Sequence, residues 1–116
     1  MKVLRVLLVD DNIQLTELMC EYLIMLGHEV VIAHDVQTAL ERFEKSFDLL
    51  ISDYDMPDGT GFDLISHIPA DSNIKKILIS GQIFSIPDFV KRYFDVCLAK
   101  PFFANNLESA IDNLFL

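Results

Sequence analysis

The sequence predicts an α/β domain: a doubly wound parallel sheet of five strands with helices on both faces. Three observations carry this. Short apolar runs alternate five times with helical patterns. The runs are densely apolar, as in buried strands, and each ends abruptly on a polar residue. The chain has 116 residues, of which 52% are apolar, which fits one compact domain with a real core.

The first strand is Leu4 to Val9. Asn12 can cap a helix running to Leu26, with Leu15, Leu18 or Met19, Tyr22 and Leu26 on its apolar face. Gly27 suits the left-handed position just past that helix. The second strand is His28 to Ala33, and Asp35 can cap the next helix, whose stripe is Val36, Ala39, Leu40 and Phe43. The third strand is Asp48 to Asp53. Residues Asp55 to Gly61 form a loop punctuated by Pro57, Gly59 and Gly61. A short helix follows, Phe62 to Ile68, stopped by Pro69. The fourth strand is Lys76 to Ser80. Ser85 can cap a short helix that holds Pro87 in its first turn and ends near Tyr93. The fifth strand is Val96 to Ala99, and the last helix is Asn105 to Phe115. The phenylalanines at helical and strand spacing are expected in the core.

Nine basic residues against 18 acidic ones give a net charge of −9. Nucleic acid and anionic membrane are poor direct partners for such a surface. A basic protein or a cation remains open. Cys20 and Cys97 lack metal-ligand spacing and read as two buried free thiols, which suits the cytoplasm. Asp10-Asp11 interrupt the N-terminal apolar stretch too early for a signal peptide, and no apolar segment is long enough to span a bilayer. His28, His34 and His67 show no convergent ligand pattern, so surface or satisfied polar roles are expected.

In open parallel sheets, ligands bind beyond the carboxyl ends of the strands. Asp10, Asp11, Asp53, Ser80 and Lys100 all fall there. Three clustered acids repel one another, and a divalent cation relieves that. An all-oxygen ligand set favours Mg²⁺, with Mn²⁺ as a substitute. Metal, ammonium and hydroxyl together suit a phosphoryl group, and Asp53 could accept it as the nucleophile.

These residues resemble a known family. Val9-Asp10-Asp11-Asn12, Asp53-x-x-Met56-Pro57-x-x-x-Gly61, Ser80-Gly81 and Lys100-Pro101-Phe102 are similar to the receiver domain of two-component response regulators, over essentially the whole chain. The resemblance implies a flavodoxin-like sheet in the order 2-1-3-4-5 and one receiver domain over 1–116, without an output domain. It implies phosphorylation of Asp53 by a sensor histidine kinase or a histidine phosphotransfer protein. Asp11, Asp53 and the backbone carbonyl of Asp55 would hold Mg²⁺, with Asp10 assisting through water. Ser80 and Lys100 would bind the phosphoryl group, and the Lys100–Pro101 peptide would be cis. Ser80, Cys97 and Pro101 would belong to the conformational switch that repacks the face of helix four, strand five and helix five. The output would pass to a downstream protein or output domain, or to a homodimer. The chain would be a phosphoacceptor with slow autodephosphorylation rather than a turnover enzyme.

Many receivers carry an aromatic residue three positions before the lysine; here it is Cys97, with Tyr93, Phe94 and Phe102 nearby. Asp55, two residues beyond the acceptor, is expected to modulate the reaction rate. Two alternatives compete. Asp53-Tyr54-Asp55 has the spacing of a haloacid-dehalogenase-type phosphatase, although such enzymes place the pair after their first strand. A pseudo-receiver scaffold would keep the fold without the chemistry.

Overall fold

Each apolar run forms a strand. β1 (Arg5–Val9), β2 (Glu29–Ala33), β3 (Leu49–Asp53), β4 (Lys75–Ser80) and β5 (Val96–Ala99) build one parallel sheet in the order β2-β1-β3-β4-β5. The computed structural model describes residues 2–116. Met1, which heads the stretch read above as too short for a leader, lies outside them.

Four helices connect the strands, α1 (Ile13–Met25), α2 (Val36–Arg42), α3 (Gly61–Ser66) and α4 (Asp88–Lys91), and a further helix, α5 (Ala104–Leu114), follows the last strand. Side chains alternate across a strand, and so the same run feeds two cores. Leu7 and Val9 of β1, Leu50 of β3 and Leu78 of β4 face a core shared with Val36, Ala39 and Leu64 of α2 and α3. Val6, Leu8, Leu49, Ile51, Ile77 and Ile79 face the opposite core, closed by Met19 and Leu23 of α1 and Leu107 and Ile111 of α5. Among the described residues, no helix is long and apolar enough to cross a membrane.

The helix starts follow their caps. Asn12 accepts from the Leu15 N–H at 3.0 Å, and Asp35 accepts from the Thr38 N–H at 2.7 Å. Thr60 and Asp63 form a reciprocal capping box on α3. Gly27 takes φ +97° just past α1, where a side chain would be strained.

Several expectations need correction. On α1, Leu18 is two-thirds exposed (66%), and Leu23, outside the expected stripe, is fully buried. Thr16 is also buried because its hydroxyl donates to the Ile13 carbonyl. Ser85 does not cap α4; it ends a 3₁₀ turn (Ile83–Ser85), and Pro87 precedes α4 without a side-chain cap. Pro87 starts a helix of four residues, shorter than the segment expected up to Tyr93. α3 ends at Ser66, three residues before Pro69. The expected loop Asp55 to Gly61 contains a two-stranded antiparallel ribbon, Asp55–Met56 with Gly59–Thr60. Cys20 and Cys97 are free but only half-buried. Phe84 in the 3₁₀ turn, Phe89 in α4 and Phe103 just before α5 are exposed rather than core.

Candidate functional site

Strand register builds the site. Val9 pairs with Ser52, so the next residues, Asp10 and Asp53, leave the sheet side by side. Ser80 pairs with Ala99, which brings Lys100 next to the end of β4; the Lys100 N–H donates to the Ser80 carbonyl at 2.8 Å. The Lys100–Pro101 peptide is cis.

Asp10 is fully buried and Asp53 nearly so, at 7% exposure, whereas Asp11 is exposed. Carboxylate oxygens of the three lie within 4.8 Å of one another. The Lys100 ammonium enters this group, 2.8 Å from Asp10 Oδ2 and 3.2 Å from Asp53 Oδ1. Asp10 Oδ1 accepts from the Asn12 N–H at 2.9 Å, so both of its carboxylate oxygens are already engaged.

One ammonium does not balance three acids. Burial, and then the charge of Asp10, push the Asp53 carboxyl up to about 6 against the pull of Lys100. Burial pulls Lys100 down, but its hydrogen bond to Asp10 and the charges of Asp10 and Asp53 outweigh this, and its pKa is raised. The site is therefore short of positive charge, and its free donors are all oxygens. That donor set fits a hard divalent ion.

The remaining sequence-selected residues lie around this centre. Ser80 is buried at the end of β4, and its Oγ accepts from the Gln82 N–H at 3.0 Å. Asp55 lies in the ribbon with its side chain exposed, and its carboxylate is not part of the acid trio. Cys97 packs against the core beneath α2 and α3, away from the acids; burial raises its thiol pKa, partly offset by Lys91. Gly61 passes close to the Asp53 backbone, where an added Cβ would lie 2.8 Å from the Asp53 carbonyl oxygen. The Gly61 N–H also donates to the Tyr54 carbonyl at 2.7 Å.

Sequence reasoning missed two side chains that hold the site's loops. His34 Nδ1 lies 2.9 Å from the Asp10 carbonyl oxygen, and the Asp58 carboxylate accepts from the Val36 and Gln37 N–H groups. Both contacts join residues more than twenty positions apart, and no local pattern marks them. His28 is buried and satisfied, its Nδ1 accepting from the Leu4 N–H, and His67 is exposed.

A family model described as response regulator receiver domain matches residues 6–112. The transcriptional regulatory protein CpxR of Escherichia coli strain K12 is 36% identical over 78 residues, covering 67% of this chain and 34% of CpxR. The probable transcriptional regulator ycf29 of Pyropia yezoensis is 35% identical, covering 95% of this chain and 52% of its own length. The chain thus spans about a third to a half of these curated relatives. Among solved structures, the response regulator TrrA of Thermotoga maritima, crystallised in complex with Mg²⁺-BeF, superposes with a TM-score of 0.87 at 28% identity, covering 97% of this chain and 99% of TrrA. A CheY-like receiver domain protein from Methanospirillum hungatei gives 0.88 at 25% identity, covering 97% of this chain and 94% of that protein.

Proposed function

The chain belongs to the response regulator receiver family of two-component systems, and from that premise we propose that Asp53 is its phosphoacceptor. The observation that carries this reading is the convergence of Asp10, Asp11 and Asp53 within 4.8 Å, with Lys100 reaching Asp53 at 3.2 Å.

In this reading the donor is a phosphohistidine on a sensor kinase or a phosphotransfer protein. An oxygen of ionised Asp53 attacks phosphorus, the P–N bond breaks, and the donor imidazole takes a proton. Lys100 turns its ammonium to the incoming phosphoryl oxygens, and the Ser80 hydroxyl donates to another of them. Hydrolysis later returns Asp53 and releases inorganic phosphate.

Asp11, Asp53 and the Asp55 carbonyl would hold Mg²⁺ or Mn²⁺. Asp10 assists through water, because both of its oxygens already accept protein hydrogen bonds. The bound ion supplies positive charge that keeps the acids ionised and offsets the charge of the phosphoryl oxygens. The Mg²⁺-BeF complex of TrrA supports Mg²⁺ as the ion by likeness.

Movement of Ser80 toward the phosphoryl group would draw on the loop after β4 and repack the face of α4, β5 and α5. Cys97 leaves that face without a ring at the usual position, so the readout rests on its other side chains. The working unit is one receiver domain over residues 1–116, acting in the cytoplasm on a downstream protein, an output domain or a second copy, rather than on nucleic acid or membrane directly.

Incubation with a small phosphodonor and Mg²⁺ tests the reading by intact mass. The wild type gains one phosphoryl group and Asp53→Asn gains none. No gain in the wild type, or a gain that persists in Asp53→Asn, overturns it. Steady turnover of para-nitrophenyl phosphate would instead favour the phosphatase class. A second measurement addresses Asp55, whose exposed carboxylate lies beside the path of the attacking water. Asp55→Asn is expected to change the lifetime of the phosphorylated form severalfold once the donor is removed. Equal decay in the two proteins removes that role.

A further inference from the structure

Two segments carry the acid cluster: the turn after β1, with Asp10 and Asp11, and the end of β3 with the loop behind it, where Asp53 closes the strand and Asp55 and Asp58 follow. On one flank Lys100 ties them, bonding Asp10 and Asp53 together. The opposite flank is closed by the junction between β2 and α2, residues 34–37.

His34 lies 2.9 Å from the Asp10 main-chain oxygen through Nδ1. A carbonyl can only accept, so the ring carries its proton on Nδ1 and donates. Two residues on, the Val36 and Gln37 N–H groups donate to the two oxygens of Asp58, at 2.8 and 2.9 Å. These are the first N–H groups of α2 and have no partner inside the helix. Asp35, between them, is occupied in capping Thr38. One short segment thus holds the first loop through His34 and the second through Asp58.

The three acids repel one another. The β1–β3 ladder holds the backbone as far as Val9 and Ser52, and the Asp10 N–H donates to the Ala33 carbonyl at 3.2 Å. Among the described residues, however, Lys100 is the one side chain that bonds both Asp10 and Asp53, so beyond the ladder the turns are free to splay on the far side. Mg²⁺ demands near-ideal octahedral geometry with short metal–oxygen distances, whereas Ca²⁺ accepts longer and more varied ones. A fixed separation of the two loops therefore matters more for the smaller ion. We propose that the junction at His34–Gln37 is a brace that sets the separation of the acid-bearing loops, with His34 and Asp58 as positioning residues for Mg²⁺. The inference rests on the metal-binding reading given above and extends it to residues that touch no metal.

Calorimetric titration of the full chain with Mg²⁺ alone, and separately with Ca²⁺ alone, tests it. His34→Ala and Asp58→Ala are each expected to weaken Mg²⁺ binding about tenfold, the low end for groups that orient metal ligands. Ca²⁺ binding falls less, so the preference for Mg²⁺ over Ca²⁺ drops. His34→Asn, whose side-chain amide can still donate to the Asp10 carbonyl, keeps Mg²⁺ affinity close to the wild type. The double variant His34→Ala with Asp58→Ala binds Mg²⁺ about as weakly as either single one, because the brace is already open. An unchanged ion preference in both alanine variants overturns the brace, as does a His34→Asn protein as weak as His34→Ala. Should Asp58→Ala not fold, the two His34 variants decide alone. A wild type that binds neither ion sinks the metal reading itself; a wild type that binds Mg²⁺ beside unaltered variants sinks only the brace.

Discussion

Lys100→Met is expected to destabilise the folded chain by about 3 kcal/mol at about pH 7.5 without divalent ions. The reason lies in Asp10, which is fully buried and, among the described residues, has Lys100 as its one cationic partner, at 2.8 Å. Removing one member of such a pair leaves a buried charge without compensation. The surface ion pairs offer a contrast. Lys45 with Asp71, both mostly exposed, is worth little when broken.

The sign of the pH dependence follows from the directions of the shifts. The raised pKa of Lys100 makes its contribution fully present below about pH 10 and lost only as pH rises further. In Lys100→Met the Asp53 carboxyl loses the ammonium that holds its pKa down, and its protonation becomes easier. Protonation then relieves the repulsion, so the deficit of the variant shrinks as pH falls toward about 4. Mg²⁺ should also narrow the gap, because it binds the folded acid cluster and stabilises by mass action. Phosphoryl transfer is expected to fall at least about a hundredfold even where Mg²⁺ restores the fold, since a charge aimed at the phosphoryl oxygens is gone. Urea titrations across pH, with and without Mg²⁺, check the stability; phosphodonor kinetics check the rate. A variant within about 0.5 kcal/mol of the wild type at every pH would show that Lys100 is not the counter-ion.

The acid site was legible because its residues interrupt apolar runs. Val6 to Val9 stops at Asp10, Leu49 to Ser52 at Asp53, and Val96 to Ala99 at Lys100, and in a parallel sheet these stops fall on one edge. The caps at Asn12 and Asp35 were legible for a similar reason, since they depend on short local patterns, whereas the strand order rested on the family resemblance. The roles of His34 and Asp58 were not, because hydrogen bonds between distant loops leave no periodic trace. On α1 the spacing left Leu18 or Met19 open and passed over Leu23, since both choices recur at helical spacing. Packing against β1 and β3 selects Met19 and adds Leu23, with Leu15 partly buried beside them. The ribbon at Asp55–Thr60 was hidden because Pro57 and Gly59 mark a turn without saying whether its arms pair.

Asp53→Asn is expected to make the chain more stable, the opposite sign to Lys100→Met. The two substitutions remove opposite charges from a site that holds an excess of one. Asp53 is held at about 6, above its ordinary value, first by burial and then by the charge of Asp10. The unfolded chain therefore gives up this proton more readily than the folded one. Ionised Asp53 costs the fold its full penalty above about pH 6; the penalty fades as pH falls from about 6 to about 4 and is absent below. A shift of this size, in which the attraction of Lys100 is already contained, corresponds to about 1–3 kcal/mol once solvent screening at the site's open side is discounted. The asparagine variant should exceed the wild type by that amount at about pH 7.5 without divalent ions and match it near pH 4. Added Mg²⁺ should raise the wild type more than the variant and close the difference, because the variant lacks one of the three carboxylates proposed to face the ion. Lys100 retains Asp10 in the variant, so no new orphaned charge offsets the gain. Chemical denaturation of both proteins over this pH range is the measurement, and an Asp53→Asn protein less stable than the wild type throughout would show that the acid is comfortable where it lies. A stabilised variant would mean that the fold keeps Asp53 ionisable against its own stability, and the gain forgone measures how far the site is tuned for an incoming cation and phosphoryl group.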